Sequence, residues 1–341
     1  MRATDPRAAT SVVRVRAVVV TSPGGPEQLR VADVPDPVVG RGDLLLDVAA
    51  AGVNRADLLQ RAGHYPPPPG APVWPGLEAS GVVVEVGDDV DDGWRVGDRA
   101  AVLLAGGGYA TRVAVPAALA LRLPPDADLP LVDAAALPEA LATFWSNARA
   151  ARLAPGETLL VHGGSGGVGT VAVQLARTLG VRVLATAGGP QRCAAVRALG
   201  ADVVVDHRAG RVREDVLAAT DGRGVDVVLD VLGAGALGEN VRMLAEGGRL
   251  VVIGLQQGRR GELDLPALMS RRGSVLATTL RDRPAAQKAA IMAEVREQAW
   301  PAVLDGRVRP VVHERLPLER AADAHRLLEG GGVLGKLLLT T

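Results

Sequence analysis

Five glycines fall within seven residues, Gly163, Gly164, Gly166, Gly167 and Gly169, inside the stretch LLVHGGSGGVGTVAVQLARTLG. Each gives up more backbone freedom on folding than any other residue, so such a cluster is unfavourable unless bare backbone is needed there. The pattern Gly164-x-Gly166-x-x-Gly169 directly follows a strand-like run. It opens a helix in which Val168, Val171, Ala172, Leu175 and Leu179 share one face. In that setting the first glycine permits a tight turn, the second lets backbone approach a pyrophosphate, and the third packs helix on strand. The N–H groups from Gly163 to Gly169, that of Val168 included, and the helix dipole then hold phosphates. The chemistry expected here is dinucleotide binding.

The next strand end decides which dinucleotide. An acidic residue there would hold a ribose 2′-OH, but the sequence VLATAGGPQRC offers Gly188 and Gly189, with Arg192 within reach. The following strand ends VVVDHR and brings His207 and Arg208 to the same rim. An absent carboxylate removes repulsion and a guanidinium suits a 2′-phosphate, so NADPH is expected over NADH. Asp206 is the one group near that rim whose charge would oppose it.

These groups need elements to position them. A chain of 341 residues suggests about two domains. Residues 15–138 read as short β-runs broken by Gly and Pro, a closed or sandwiched antiparallel unit. Within it YPPPPGAPVWPG, from Tyr65 to Gly76, must be an extended surface loop. From 139 to 282 apolar strands alternate with helical stretches. Six such strands with helical crossovers predict an α/β, doubly wound parallel sheet of the Rossmann type. Gly254, at the end of RLVVIG, would lie on the carboxyl edge of that sheet, where ligands sit. Residues 283–341 hold too few elements to fold alone and are expected to rejoin the first unit. Residues 1–14 are expected to be a loose extension.

Composition narrows the function. Lys+Arg and Asp+Glu balance at 38 each, leaving no net field for nucleic acid or an anionic membrane, and 2% aromatic content leaves few stacking platforms. Lys288 and Lys336 are the only lysines. The single cysteine, Cys193, permits neither an internal disulfide nor a cysteine-rich metal site. With no signal-like start and no apolar run of bilayer length, the expected location is the cytoplasm.

Six stretches taken in order carry a resemblance over nearly the whole chain from residue 16: GVNRADLLQRAGHYPPPPG, PGLEASG, LLAGGGYATRVAVP, ALPEALATFWSNA, LLVHGGSGGVGT and TTLRDRP. The sequence resembles the medium-chain dehydrogenase/reductase superfamily. Within it, the chain is most similar to zinc-free quinone oxidoreductases of the zeta-crystallin type, particularly the p53-inducible quinone reductase-like branch. The resemblance implies that the first unit is a GroES-like catalytic domain. Zinc alcohol dehydrogenases of the superfamily carry Gly-His-Glu where this chain has PGLEASG. Leu77 thus replaces the histidine, and Asn54 falls at their first cysteine ligand. The five histidines share no ligand spacing and Glu78 cannot hold zinc alone, so no metal is expected.

Without a Lewis acid, acceptors that take hydride readily are favoured, namely quinones or activated enones. The resemblance implies that Asn54, Asp57 and Tyr65 orient the acceptor, with Arg281 as a cation at the rim. Asn54 could equally cap a turn, Asp57 could be a first-turn acid, and Tyr65 could pack against its loop or donate a proton. Leu59 stands where some quinone reductases have a second tyrosine, making the pocket more apolar. Thr143, Gly254 and Leu255 are implied cofactor contacts, and His207 replaces a tyrosine common in the family. Lys336 could reach the cofactor or be solvated, and Tyr109 is expected to be structural. An enoyl reductase needs the same geometry. A non-catalytic NADPH-binding or RNA-binding role is the reading from a different class, and charge and composition weigh against RNA. The apolar strand at 274–280, left unpaired at a sheet edge, predicts a homodimer.

Overall fold

The computed structural model describes residues 15–91 and 93–341, so the extension expected over 1–14 lies outside the described residues. The Val- and Leu-rich runs after residue 139 form one six-stranded parallel sheet. Its strands lie in the order Val203–Asp206, Arg182–Ala187, Thr158–Val161, Val225–Asp230, Leu244–Val252 and Ser274–Ala277. Thr158–Val161 is buried at every residue, as a strand covered on both faces by helices must be. The order reverses beside this strand. The crevice at the carboxyl ends of the sheet therefore opens at the glycine turn that follows it.

The second sheet has the order Val312–Pro317, Lys336–Thr340, Asp43–Val53, Glu78–Val86, Arg99–Leu103 and Ala120–Leu123, with Arg112–Pro116 also paired to Asp43–Val53. Its pairings are antiparallel except that of the two C-terminal strands. The last strand returns from the far end of the chain to pair Leu337 with Val53, beside the entry to the short helix Arg55–Arg61. It also reaches the other sheet's crevice. The Gly335 N–H donates to the Ser165 carbonyl at 2.8 Å, and Gly335 bridges Gly166. Lys336 therefore starts a strand of one sheet while touching the glycine turn of the other. The segment from Tyr65 to Gly76 holds neither helix nor strand, as its prolines require. No helix among the described residues is long and apolar enough to cross a membrane.

Candidate active site

The helix Gly167–Thr178 starts without a side-chain cap, its N-cap being Gly166. The N–H groups of Gly167, Val168 and Gly169 form its first turn and have no intrahelical acceptors. Gly163 N–H is held by Thr186 Oγ1 at 3.1 Å and Gly164 N–H by the Thr186 carbonyl at 2.8 Å, which fixes the turn. A Cβ on Gly169 would meet the Gly163 carbonyl oxygen at 2.1 Å, so only glycine lets helix and turn touch. These residues fit a dinucleotide diphosphate.

At the next strand end, Arg192 Nε donates to the Gly188 carbonyl at 2.8 Å. A Cβ on Gly188 would lie 2.7 Å from His207 Nε2 and 3.2 Å from an Arg192 terminal nitrogen, and one on Gly189 would lie 3.1 Å from Arg208. The predicted basic groups thus converge on two bare backbone positions. Asp206 keeps its negative charge at this rim. Its Oδ1 accepts from the N–H groups of Gly189 and Arg208, both at 3.0 Å, and these bonds hold its carboxyl below the ordinary value. Gly254 packs against Val231 backbone, where a Cβ would meet the Val231 carbonyl oxygen at 2.7 Å, and Leu255 beside it is half exposed.

In the other unit the Asp57 carboxylate, fully buried, accepts from Asn54 N–H (2.8 Å), Gly76 N–H (2.9 Å) and the Tyr109 hydroxyl (3.1 Å). Asp57 is therefore the first-turn acid of helix Arg55–Arg61 and also pins the end of the proline loop to it. Burial pushes its pKa up to about 6 despite these donors. Behind it, Tyr109 meets His325 Nε2 at 3.1 Å, and His325 Nδ1 meets Arg61 at 3.3 Å. Because Arg61 can only donate, His325 is protonated on Nε2 and donates to Tyr109, which donates to Asp57. Burial and Arg61 lower the His325 pKa to about 3, so the ring is neutral. Tyr109 thus has the structural place expected of it.

Asn54 is the N-cap of this helix, in a capping box with Asp57, and its side chain also meets buried charges. Its Nδ2 donates to Glu78 Oε1 at 2.9 Å, and its Oδ1 accepts from Lys336 Nζ, which also donates to Glu78 Oε1. Lys336 is not solvated. It is 4% exposed, and its stem lies where a Gly167 Cβ would be, 2.7 Å from Cε. Burial disfavours its ammonium, but Glu78 and Glu139 outweigh that and hold its pKa above the ordinary lysine value. Glu78 bonds not only to backbone, through Oε2 and the Glu139 N–H at 3.0 Å, but to these two side chains. Sequence reading missed Glu139. It lies in the first turn of helix Pro138–Ala150, where Thr143 Oγ1 donates to its Oε1 at 3.0 Å and Lys336 Nζ lies 3.7 Å from its Oε2.

Arg281 is not a free rim cation. It is 4% exposed and donates to the Ala105 carbonyl (2.7 Å), the Tyr65 carbonyl (3.1 Å) and Gln60 Oε1 (2.6 Å), with its guanidinium carbon 5.2 Å from the Tyr65 ring centre. It clamps the proline loop to helix Arg55–Arg61. Tyr65 is half-buried. Burial, with Asp282 adding to it, pushes the phenol up to about 12, so it keeps its proton. Among the described residues no group of three His, Cys, Asp or Glu side chains is placed to hold a metal ion.

Residues 40–125 match the alcohol dehydrogenase GroES-like domain family and residues 167–295 match the zinc-binding dehydrogenase family. The quinone oxidoreductase of Homo sapiens is 31% identical over 339 residues, covering 97% of this chain and 99% of that protein. The chain belongs to the medium-chain dehydrogenase/reductase superfamily. It is an oxidoreductase with that superfamily's dinucleotide-binding fold. A mycobacterial protein solved in complex with NADPH superposes with a TM-score of 0.83 at 32% identity, over 96% of this chain and 100% of that one. A Pseudomonas syringae quinone oxidoreductase gives a TM-score of 0.82 at 29% identity, over 96% and 100%. The buried cation beside Asn54 and Glu78 is the Lys336 ammonium.

Proposed function

We propose that the protein is a metal-independent NADPH:quinone oxidoreductase. The observation that carries this reading is the buried Lys336 ammonium bound to Asn54 and Glu78, which stand in the motifs where the resemblance puts the metal site of zinc alcohol dehydrogenases. A caged ammonium offers no open coordination position to polarise an alcohol or ketone. An acceptor that takes hydride without that help, a small quinone, suits such a cleft. Bound at the glycine turn, a reduced nicotinamide supplies the hydride. The chain holds the diphosphate through Gly163 to Gly169. Thr143, Gly254 and Leu255 form the walls toward the nicotinamide. Tyr65, which keeps its proton, donates a hydrogen bond to the acceptor oxygen, while Asp57 and Arg281 fix the loop that carries it.

Arg192, His207 and Arg208, the groups that converge on Gly188 and Gly189, would hold the 2′-phosphate. Replacing Arg192 by alanine is expected to weaken NADPH binding by about tenfold to a hundredfold, or 1.4–2.7 kcal/mol. NADH binding should change less than twofold. Titration calorimetry with both cofactors tests this, and equal losses for both would refute the assignment.

The edge strand Ser274–Ala277 has one side unpaired among the described residues, and its Val275 is 37% exposed. We assign this edge to a twofold pairing with a second copy of the chain. Light scattering is expected to give twice the 35.1 kDa chain mass, and a single-chain mass across the concentration range would contradict it.

A further inference from the structure

His162 follows the strand Thr158–Val161 and directly precedes the glycine turn. It is 4% exposed, and the hydride transfer makes no use of it. Its ring Nδ1 lies 3.2 Å from Thr186 Oγ1 and its Nε2 lies 2.7 Å from Asn240 Oδ1. Thr186, on the neighbouring strand Arg182–Ala187, is the residue that holds the Gly163 and Gly164 N–H groups. Asn240 belongs to the helix Leu237–Met243 and is fully buried. A chain of enclosed polar contacts thus runs from that helix to the first residue of the turn. Gly163 has a φ of +68°, and a glycine's backbone freedom makes the turn's shape depend on such an outside hold.

The chain has one direction. Asn240 Oδ1 can only accept, so Nε2 carries the ring hydrogen. Nδ1 then accepts from the Thr186 hydroxyl, whose lone pairs are left for the Gly163 N–H at 3.1 Å. With the hydrogen on Nδ1 instead, the buried Thr186 O–H would have no acceptor among the described residues, at a cost of about 1–3 kcal/mol. The ring is neutral. Burial lowers its pKa below the ordinary histidine value; the Asn240 bond and the Asp230 charge oppose this, and His207 adds to it. Asp230 spends its own oxygens on the N–H groups of Leu232 and Gly233, both at 2.9 Å.

We propose that His162 is a positioning residue for the cofactor. Anchored on Asn240, its ring aims the Thr186 hydroxyl oxygen at the Gly163 N–H. It thereby sets the turn from which Gly167, Val168 and Gly169 present their N–H groups to the diphosphate. This rests on reading the turn as the dinucleotide site. The diphosphate is common to NADPH and NADH, so the ring serves both alike, whereas Arg192 serves only the 2′-phosphate.

Ring hydrogens and cofactor affinities test this separately. Nitrogen-15 spectra of the histidine-labelled parent at neutral pH should show His162 protonated on Nε2 alone, and a ring protonated on Nδ1 overturns the proposal. Thr186→Val keeps the side chain's shape and removes the hydroxyl. The dissociation constants of NADPH and NADH should both rise about tenfold, the worth of one buried hydrogen bond. Thr186→Ser restores the hydroxyl and should bring both within about threefold of the parent. His162→Phe should also cost about tenfold, but less than about twofold when added to Thr186→Val, because the ring acts through that hydroxyl. Losses that add in full overturn the proposal. So does either tenfold variant binding both dinucleotides as tightly as the parent, or losing NADPH alone. The step from Thr186→Val to the double variant, with the parent's ring spectrum, decides even where His162→Phe alone does not fold. A parent that binds neither dinucleotide contradicts the cofactor reading, and this role falls with it. The other failures leave the parent's own binding intact, so the two are told apart.

Discussion

Replacing Lys336 by methionine is expected to lower the unfolding free energy by about 3–5 kcal/mol. Methionine fills the stem's volume over Gly167 and leaves the fully buried Glu78 carboxylate without its counter-charge. The cage must then open or admit water to that charge. The double variant Lys336→Met with Glu78→Gln removes both charges and should regain most of the loss, because a buried pair is worth little over a neutral replacement. Urea unfolding of the three proteins measures this. A single variant within about 1 kcal/mol of the parent would contradict a buried, compensated ion pair at this place.

Gly169→Ala has the second large effect, on the cofactor. The added methyl would lie 2.1 Å from the Gly163 carbonyl oxygen and 2.8 Å from Gly164 Cα. Both are backbone atoms that no rotamer change can move, so the helix start must shift from the turn. The expected cost in stability is ~3 kcal/mol, at the upper end for overpacking. NADPH binding is expected to weaken about a hundredfold or more as the first-turn N–H groups lose their aim. Fluorescence titration of the folded variant checks the second figure. Affinity equal to the parent's would place the diphosphate elsewhere.

The glycine turn was legible because its constraint is local. A strand, a tight turn and a helix follow one another within about twenty residues, and close backbone approach leaves a mark on residue type. The parallel sheet was legible for the same reason, through continuous apolar runs between glycine-bounded helices. The ammonium cage was not. Asn54, Glu78, Glu139 and Lys336 come from a helix cap, a strand, a helix start and the last strand, and only the pairing of Leu337 with Val53 brings the ends together. A buried ion cluster has no periodicity to read. One signal was present in composition. Only two of the 38 basic residues are lysines, and both Lys288 and Lys336 are buried, donating to the Arg281 carbonyl and to Glu78 respectively. A compact ammonium fits an enclosed site that a planar guanidinium would not. Arg281 was found by its motif, but its place as a loop clamp depends on three acceptors from distant segments.

The measurement that tests the central claim most directly is acceptor-dependent NADPH oxidation in EDTA, with benzoquinone, phenanthrenequinone, an alkenal and a ketone, and NADH as the control donor. Fast turnover of quinones with NADPH, unaffected by EDTA and absent with ketones, is the predicted result. Turnover of the alkenal alone would move the activity to C=C reduction, and loss of quinone turnover in EDTA would contradict the metal-independent reading of the Lys336 cage.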